Sequence, residues 1–286
     1  MQTEISSIKS GYLKQKFLLF HLCDRTDQDF ELHYHEFKKI IFFIAGDVTY
    51  LIEGKSYHLI AGDLLFINDA DIHKPVINSS ISYERIILWL HNDFFNNVLF
   101  NTTLLTKAFD LATTQNFHLL RLSPTNQNKI HALLLRLAKA SANTDFADHI
   151  LAHALCLEYL VYLNRLQNEF IEQHPLTYSM PYDQQIETLL KYIQENLAND
   201  ISIKILTQKF FISRSYLMHK FKTEVGCTIH TYIQEKRLLK ALQLLKSGTP
   251  IIEIAPNCGF ADYSTFLRAF KRKFSLSPRH WLLVNK

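Results

Sequence analysis

The chain has 286 residues, 48% of them hydrophobic and 20% charged, with a formal net charge of +4. That length suits about two domains, and the composition excludes a disordered or fibrous chain. The small net charge hides an asymmetry: residues 183–286 carry 16 Lys and Arg against 8 Asp and Glu, a net of +8, and the preceding residues carry 15 against 19, a net of −4. A basic module joined to a mildly acidic one is expected when a nucleic-acid-binding part is attached to a part with another task.

The first eleven residues are polar, and no stretch reaches the ~18 apolar residues of a membrane span, so a cytoplasmic location without membrane attachment is expected. Cys23, Cys156, Cys227 and Cys258 are scattered, which fits neither a disulfide framework nor a zinc knuckle. Residues 12 to about 90 read as short strands. Ile40 to Ile44 closes at Ala45-Gly46-Asp47, Val48 to Ile52 at Glu53-Gly54-Lys55, and Tyr57 to Ile60 at Ala61-Gly62-Asp63; Leu64 to Ile67 and Tyr83 to Leu90 follow. Such spacing predicts an antiparallel barrel or sandwich over residues 1–90.

From His91 the period becomes helical. Leu133, Leu134 and Leu137, then Ile150 to Leu163, place apolar residues at three- and four-residue intervals. This predicts a helical arm over residues 91–170 that buries its stripe on the barrel or on a second copy of the chain. Pro175 and Pro181 mark residues 171–182 as a linker. Residues 183–286 read as helical throughout, with an internal repeat at an offset of 49 that lays Ser213 to Lys222 over Asp262 to Lys271. Each copy starts at a good N-cap, Ser213 or Asp262, and turns an apolar pair inward, Leu217 with Phe221 and Phe266 with Phe270. A short helix and turn precede each copy, so the pattern is two helix-turn-helix units joined by a long helix, Ile229 to Leu245.

In a helix-turn-helix unit the second helix enters a major groove and faces it with polar or basic groups. The first copy offers Arg214, Ser215, Met218, His219 and Lys222; the second offers Tyr263, Ser264, Leu267, Arg268, Lys271 and Arg272. Arg268 suits a guanine edge, whereas Lys222, Lys271 and Arg272 suit phosphates. The competing reading of any one of these residues is a solvated helix face.

Ile251, Ile254-Ala255, Gly259-Phe260, Phe266, Phe270-Lys271 and Ser277-Pro278, with Phe221-Lys222, Gly226 and Arg237-Leu238 earlier, resemble the signature of the AraC/XylS family of transcription regulators. The resemblance implies two helix-turn-helix units reading successive major-groove segments of double-stranded promoter DNA, and RNA polymerase as a further partner. Pro256, Ser275, Thr207 and Phe211 depart from the pattern, the last three where alanine or glycine is usual. His33-Tyr34-His35, Gly46, and Gly62-Asp63 followed by His73 and Pro75 are similar to the cupin-like sensor domain of that family. In metal-binding cupins two early histidines, a glutamate four residues after the second and a late histidine hold the ion. Lys39 stands at the glutamate position, and an ammonium is no ligand.

The expected fold is therefore multidomain: an N-terminal cupin-like β-barrel with a helical arm, and an all-α C-terminal domain with two helix-turn-helix units. No cofactor, no metal and no enzymatic activity are expected. The effector pocket is expected to draw on His33, His35, Glu36, Tyr50 and His73, lined by Phe43 and Phe66, and the resemblance implies a small-molecule effector, often a sugar. The expected function is a transcription regulator, in the activator mode usual for the family, paired as a homodimer through the helical arm. A metal-dependent cupin enzyme and an RNA binder are the competing classes; Lys39 opposes the first, and the lack of exposed aromatic platforms opposes the second.

Overall fold

In a computed structural model the chain divides into two compact units, Met1–Met180 and Pro181–Lys286. The structure describes residues 13, 15–25, 30, 32–69, 71–96, 102–114, 117–173 and 184–284.

Among the described residues the first unit holds eight strands in two antiparallel sheets. β1 (Phe17–Asp24), β2 (Lys38–Ala45), β5 (Asp63–Ile67), β7 (Tyr83–Leu90) and β8 (Leu119–Arg121) form a five-stranded sheet in the order β1-β7-β2-β5-β8. β3 (Val48–Ile52), β4 (Lys55–His58) and β6 (His73–Ile77) form a three-stranded sheet in the order β4-β3-β6. The expected barrel is thus a cupin-like sandwich whose sheets are not hydrogen-bonded into one closed ring. The break comes at Gly46: the β2–β7 register shifts between Phe43 and Ala45, and Gly46 takes φ +134° with its α-carbon against Tyr83, too close for an easy Cβ. That bulge turns the chain out of one sheet and into the other. Glu53 and Gly54, both at positive φ, make the two-residue turn joining β3 to β4.

Alternation sorts the side chains into two apolar layers. Ile41, Phe43, Leu65, Ile67 and Tyr83 of the larger sheet meet Val48, Tyr50, Ile52 and Tyr57 of the smaller one. On the outer face, Ile40, Phe42, Leu64, Phe66, Ile86 and Leu88 pack against helices α1 (Lys107–Thr114), α2 (Pro124–Ala142) and α3 (Asp148–Gln173). The segment expected as a helical arm thus buries its stripe on the sheet, one of the two expected alternatives, and also contributes a strand to it, because Leu119 and Leu120 pair with Leu65 and Leu64. Burying each such side chain contributes about 1.5–3 kcal/mol. Of the expected linker, residues 171–173 belong to α3, which runs to Gln173, and residues 174–182 lie outside the described residues.

The second unit is all helical: α4 (Gln184–Glu195), α5 (Ile203–Phe210), α6 (Arg214–Val225), α7 (Ile229–Lys246), α8 (Ile251–Asn257), α9 (Tyr263–Phe274) and α10 (Pro278–Val284). α5 and α6 form one helix-turn-helix, α8 and α9 the other, with α7 between them. Eight buried side chains of α7, among them Tyr232, Leu238 and Leu242, supply its share of the core. Phe221 meets Tyr232 edge-on with ring centroids 5.7 Å apart, tying α6 to α7. Among the described residues no helix is long and apolar enough to cross a membrane.

Candidate nucleic-acid interface and sensor site

The recognition helices start where their caps place them. Ser213 Oγ accepts from the Tyr216 amide at 3.2 Å, and Asp262 Oδ1 accepts from the Thr265 amide at 2.7 Å. The Thr265 amide and hydroxyl hydrogen bonds hold the Asp262 carboxyl below its ordinary pKa, so the cap stays ionised. Leu217 and Phe221 of α6, and Phe266 and Phe270 of α9, are fully buried. Helical geometry then turns the opposite faces outward. Arg214, Ser215, Met218, His219 and Lys222 are exposed on α6; Tyr263, Ser264, Arg268, Lys271 and Arg272 are exposed on α9, with Leu267 half-buried. Arg214, Lys222, Lys271 and Arg272 make no ion pair among the described residues, and cations left uncompensated on one helix face are what a phosphate backbone draws on. Lys273 differs, pairing with Glu235 of α7 at 2.7 Å.

A groove of about 590 Å³ runs beside α9, lined by Thr265, Arg268 and Arg272 together with His230 and Gln234 of α7 and the N-cap of α5, Ser202. Arg268 Nη2 donates to Thr265 Oγ1 at 3.4 Å, so its fork rests along the groove wall. His230 and Gln234 escaped the sequence reading because they lie on the connecting helix, outside the repeat, and Thr265, which the repeat lays under Tyr216, because it was not counted on the exposed face; the polar first turn of α7 beside a recognition helix was the available signal.

The sequence departures are absorbed locally. Pro256 sits in the last turn of α8, and the Cys258 amide still donates to the Ile254 carbonyl at 3.0 Å, so the helix forms despite the missing amide. Phe211 and Ser275 both close their helices in the left-handed conformation, at φ 53° and 58°, the role glycine usually fills. Gly259 is required: at φ +83°, a Cβ there would lie 2.2 Å from the Leu197 carbonyl oxygen. Arg237 holds that loop, donating to the Leu197 and Asn199 carbonyls at 2.9 and 2.8 Å.

In the first unit, His33, His35 and His73 come together. The His33 and His73 rings lie 4.4 Å apart by centroid, His35 and His73 4.8 Å, His33 and His35 6.4 Å. Lys39 Nζ reaches the same place and donates to His73 Nε2 at 3.1 Å. Burial lowers the Lys39 pKa to about 7. Burial, then the Lys39 charge, then the neighbouring imidazoles push His35 and His73 well below the ordinary histidine value, so both are neutral near pH 7. Among the described residues no three His, Cys, Asp or Glu side chains are arranged to hold a metal.

Tyr50 is not in that cluster. Its hydroxyl accepts from Tyr83 Oη at 3.4 Å, and Arg85 stacks over the Tyr83 ring at 4.1 Å while pairing with Asp24 at 2.9 Å. Glu36 is half-buried just before β2. Phe43 faces the space between the sheets, as expected of a lining residue, but Phe66 does not: alternation on β5 turns it to the helices, where it meets Phe109 edge-on at 5.7 Å. Tyr83 and Arg85 were missed because nothing local marks which face of β7 is inward.

Two family models match the chain: an AraC-like ligand binding domain over residues 20–160 and a helix-turn-helix domain over residues 206–283. The chain is similar to the HTH-type transcriptional activator RhaS of Escherichia fergusonii, 26% identical over 251 residues, which are 87% of this chain and 86% of that one. It is similar also to RhaS of Enterobacter sp., 24% identical over 252 residues with the same coverage of each chain. Among solved structures, the C-terminal domain of the two-component response regulator yesN from Fusobacterium nucleatum is 27% identical, covering 35% of this chain and 99% of that one with a TM-score of 0.34.

Proposed function

Because the chain belongs to the AraC family of transcription regulators, with the family's ligand-binding domain ahead of its helix-turn-helix domain, we propose that it is an activator that reads promoter DNA with α6 and α9 under control of a small-molecule effector. The observation that carries the reading is the pair of capped recognition helices, each burying an apolar face and exposing a basic one. Arg268 reads a base edge; Lys222, Lys271 and Arg272 hold phosphates. The effector site lies between the sheets of the first unit, where His33, His35, Tyr50 and His73 offer groups that bind hydroxyls, and the effector class is a sugar, as the family resemblance implies. Glu36 stands at its edge. An effector acts by binding one arrangement of the protein better than another.

The functional form we propose is a homodimer paired through α3. That helix buries Ala152, Leu155, Tyr159 and Leu163 on its own sheet while leaving Ile150, Leu151 and Val161 exposed on the far side, a stripe that a second copy would cover. The proposed partner in activation is RNA polymerase, and the proposed place of action the cytoplasm, where buried thiols such as Cys156 stay reduced. The chain carries no enzymatic turnover in this reading. Fluorescence anisotropy with labelled duplexes at two salt concentrations tests it: specific duplex binding that weakens with salt is expected, and turnover of a small molecule without duplex binding would contradict it.

A further inference from the structure

The groove beside α9 is the seam between the two helix-turn-helix motifs. Ser202 opens α5 of the first motif, Thr265, Arg268 and Arg272 belong to the recognition helix of the second, and His230 and Gln234 stand on the helix that joins them. His230 and Gln234, at i and i+4, share one face of α7. Thr265, Arg268 and Arg272 recur at helical spacing, so one stripe of α9 forms the facing wall. No carboxylate lines the groove. Among the described residues Arg272 and His230 make no ion pair, and the Gln234 side chain makes no hydrogen bond. Ser202 Oγ accepts from the Ile205 amide at 3.3 Å and keeps its own proton to donate. The floor beneath these groups is apolar, built from Ile201, Ile203, Ile229, Ile233 and Phe260.

A donor-rich, cationic rim over an apolar floor matches the sugar-phosphate backbone of DNA, which presents anionic oxygens beside the carbon face of deoxyribose. Two recognition helices in successive major grooves on one face of a duplex leave one minor groove and its flanking backbones between them. A seam between the two motifs is where those backbones arrive. We propose that this seam is a third DNA contact: His230 and Gln234 of the connecting helix, with Ser202 and Arg272, hold the backbone that flanks the minor groove between the two major-groove contacts. The inference rests on the DNA-reading function proposed above and adds a contact that carries no base information. Ser202, His230 and Gln234 donate hydrogen bonds to phosphate oxygens, and Arg272 adds charge.

The test uses the full-length protein and a duplex selected by it, with single phosphates between the two recognised segments replaced by neutral methylphosphonates and binding read by fluorescence anisotropy. Wild type is expected to lose about three- to tenfold in affinity at one or two of these positions. His230→Ala combined with Gln234→Ala is expected to lose as much on the unmodified duplex and to become indifferent to the same replacements, the coupling shown by groups in contact. Gln234→Glu supplies the opposite sign: its carboxylate repels the contacted phosphate, and a neutral linkage at that position restores binding. Wild-type binding indifferent to every intervening phosphate would overturn the proposal, keep the DNA reading intact and leave the groove to an acidic peptide. A double variant as sensitive to the replacements as wild type, or a Gln234→Glu protein that no neutral linkage rescues, would also overturn it. Wild type that binds no duplex would remove the DNA reading and this contact together.

Discussion

Single residues in this chain set pH dependence and local strain. Lys39 titrates near 7 when folded and at 10.5 otherwise, so between those values the unfolded chain binds a proton the folded chain lacks, and stability rises with pH across that window. His35 and His73, lowered from 6.5, act in the same direction at lower pH: stability is lost as the medium falls below their unfolded value. Thermal melting from mildly acid to mildly alkaline pH is therefore expected to show a rising midpoint for the first unit. In Lys39→Met the rise above neutrality should vanish while the acid limb remains; an unchanged alkaline limb would contradict this. In the second unit, Gly259→Ala combines a left-handed backbone with a 2.2 Å clash against backbone. It should cost more than the ~1 kcal/mol usual for a positive-φ glycine. Ser275→Gly should gain about 1 kcal/mol by relieving a left-handed non-glycine residue. Denaturant midpoints check both.

At the level of elements, the proposed reading gives affinity and specificity to different residues of a recognition helix. Arg268→Ala is expected to relax sequence preference at a cost of about 1–3 kcal/mol, while Lys271→Ala weakens all duplexes alike and lowers the salt slope by about one. Equal losses on specific and random duplexes in both variants would refute the division. These helices were legible in the sequence because Ser213 and Asp262 stand directly before periodic apolar runs, and the 49-residue repeat showed both copies at once. Strands β2, β3 and β5 were legible from their Gly-Asp and Glu-Gly turns. β6 was not, since His73–Ile77 contains Pro75, tolerated there because β6 is an edge strand. Nor was β8, whose three residues are too few to show a period inside a helical stretch. That the strands form two sheets depends on non-local pairing across the Gly46 bulge, which local pattern does not encode. The histidine cluster was legible as a motif; the Lys39–His73 hydrogen bond and the Tyr50, Tyr83 and Arg85 group needed the register.

For the whole molecule, the near-neutral charge is the sum of a basic helix-turn-helix unit and a mildly acidic sensor. Pairing through α3 is expected to keep the chain dimeric, and Ile150→Glu with Val161→Glu should shift it to monomer in sedimentation without lowering the melting point of the first unit. A protein that is monomeric before substitution would remove the α3 proposal and leave the DNA-reading claim standing. That central claim, that both recognition helices of one chain read duplex DNA, is tested most directly by selecting bound duplexes from a random library with the full-length protein. The expected result is two short conserved blocks about 10 base pairs apart, one helical turn, with Arg268→Ala erasing preference in one block only. Enrichment of no sequence, or of a single block indifferent to Arg268, would contradict it.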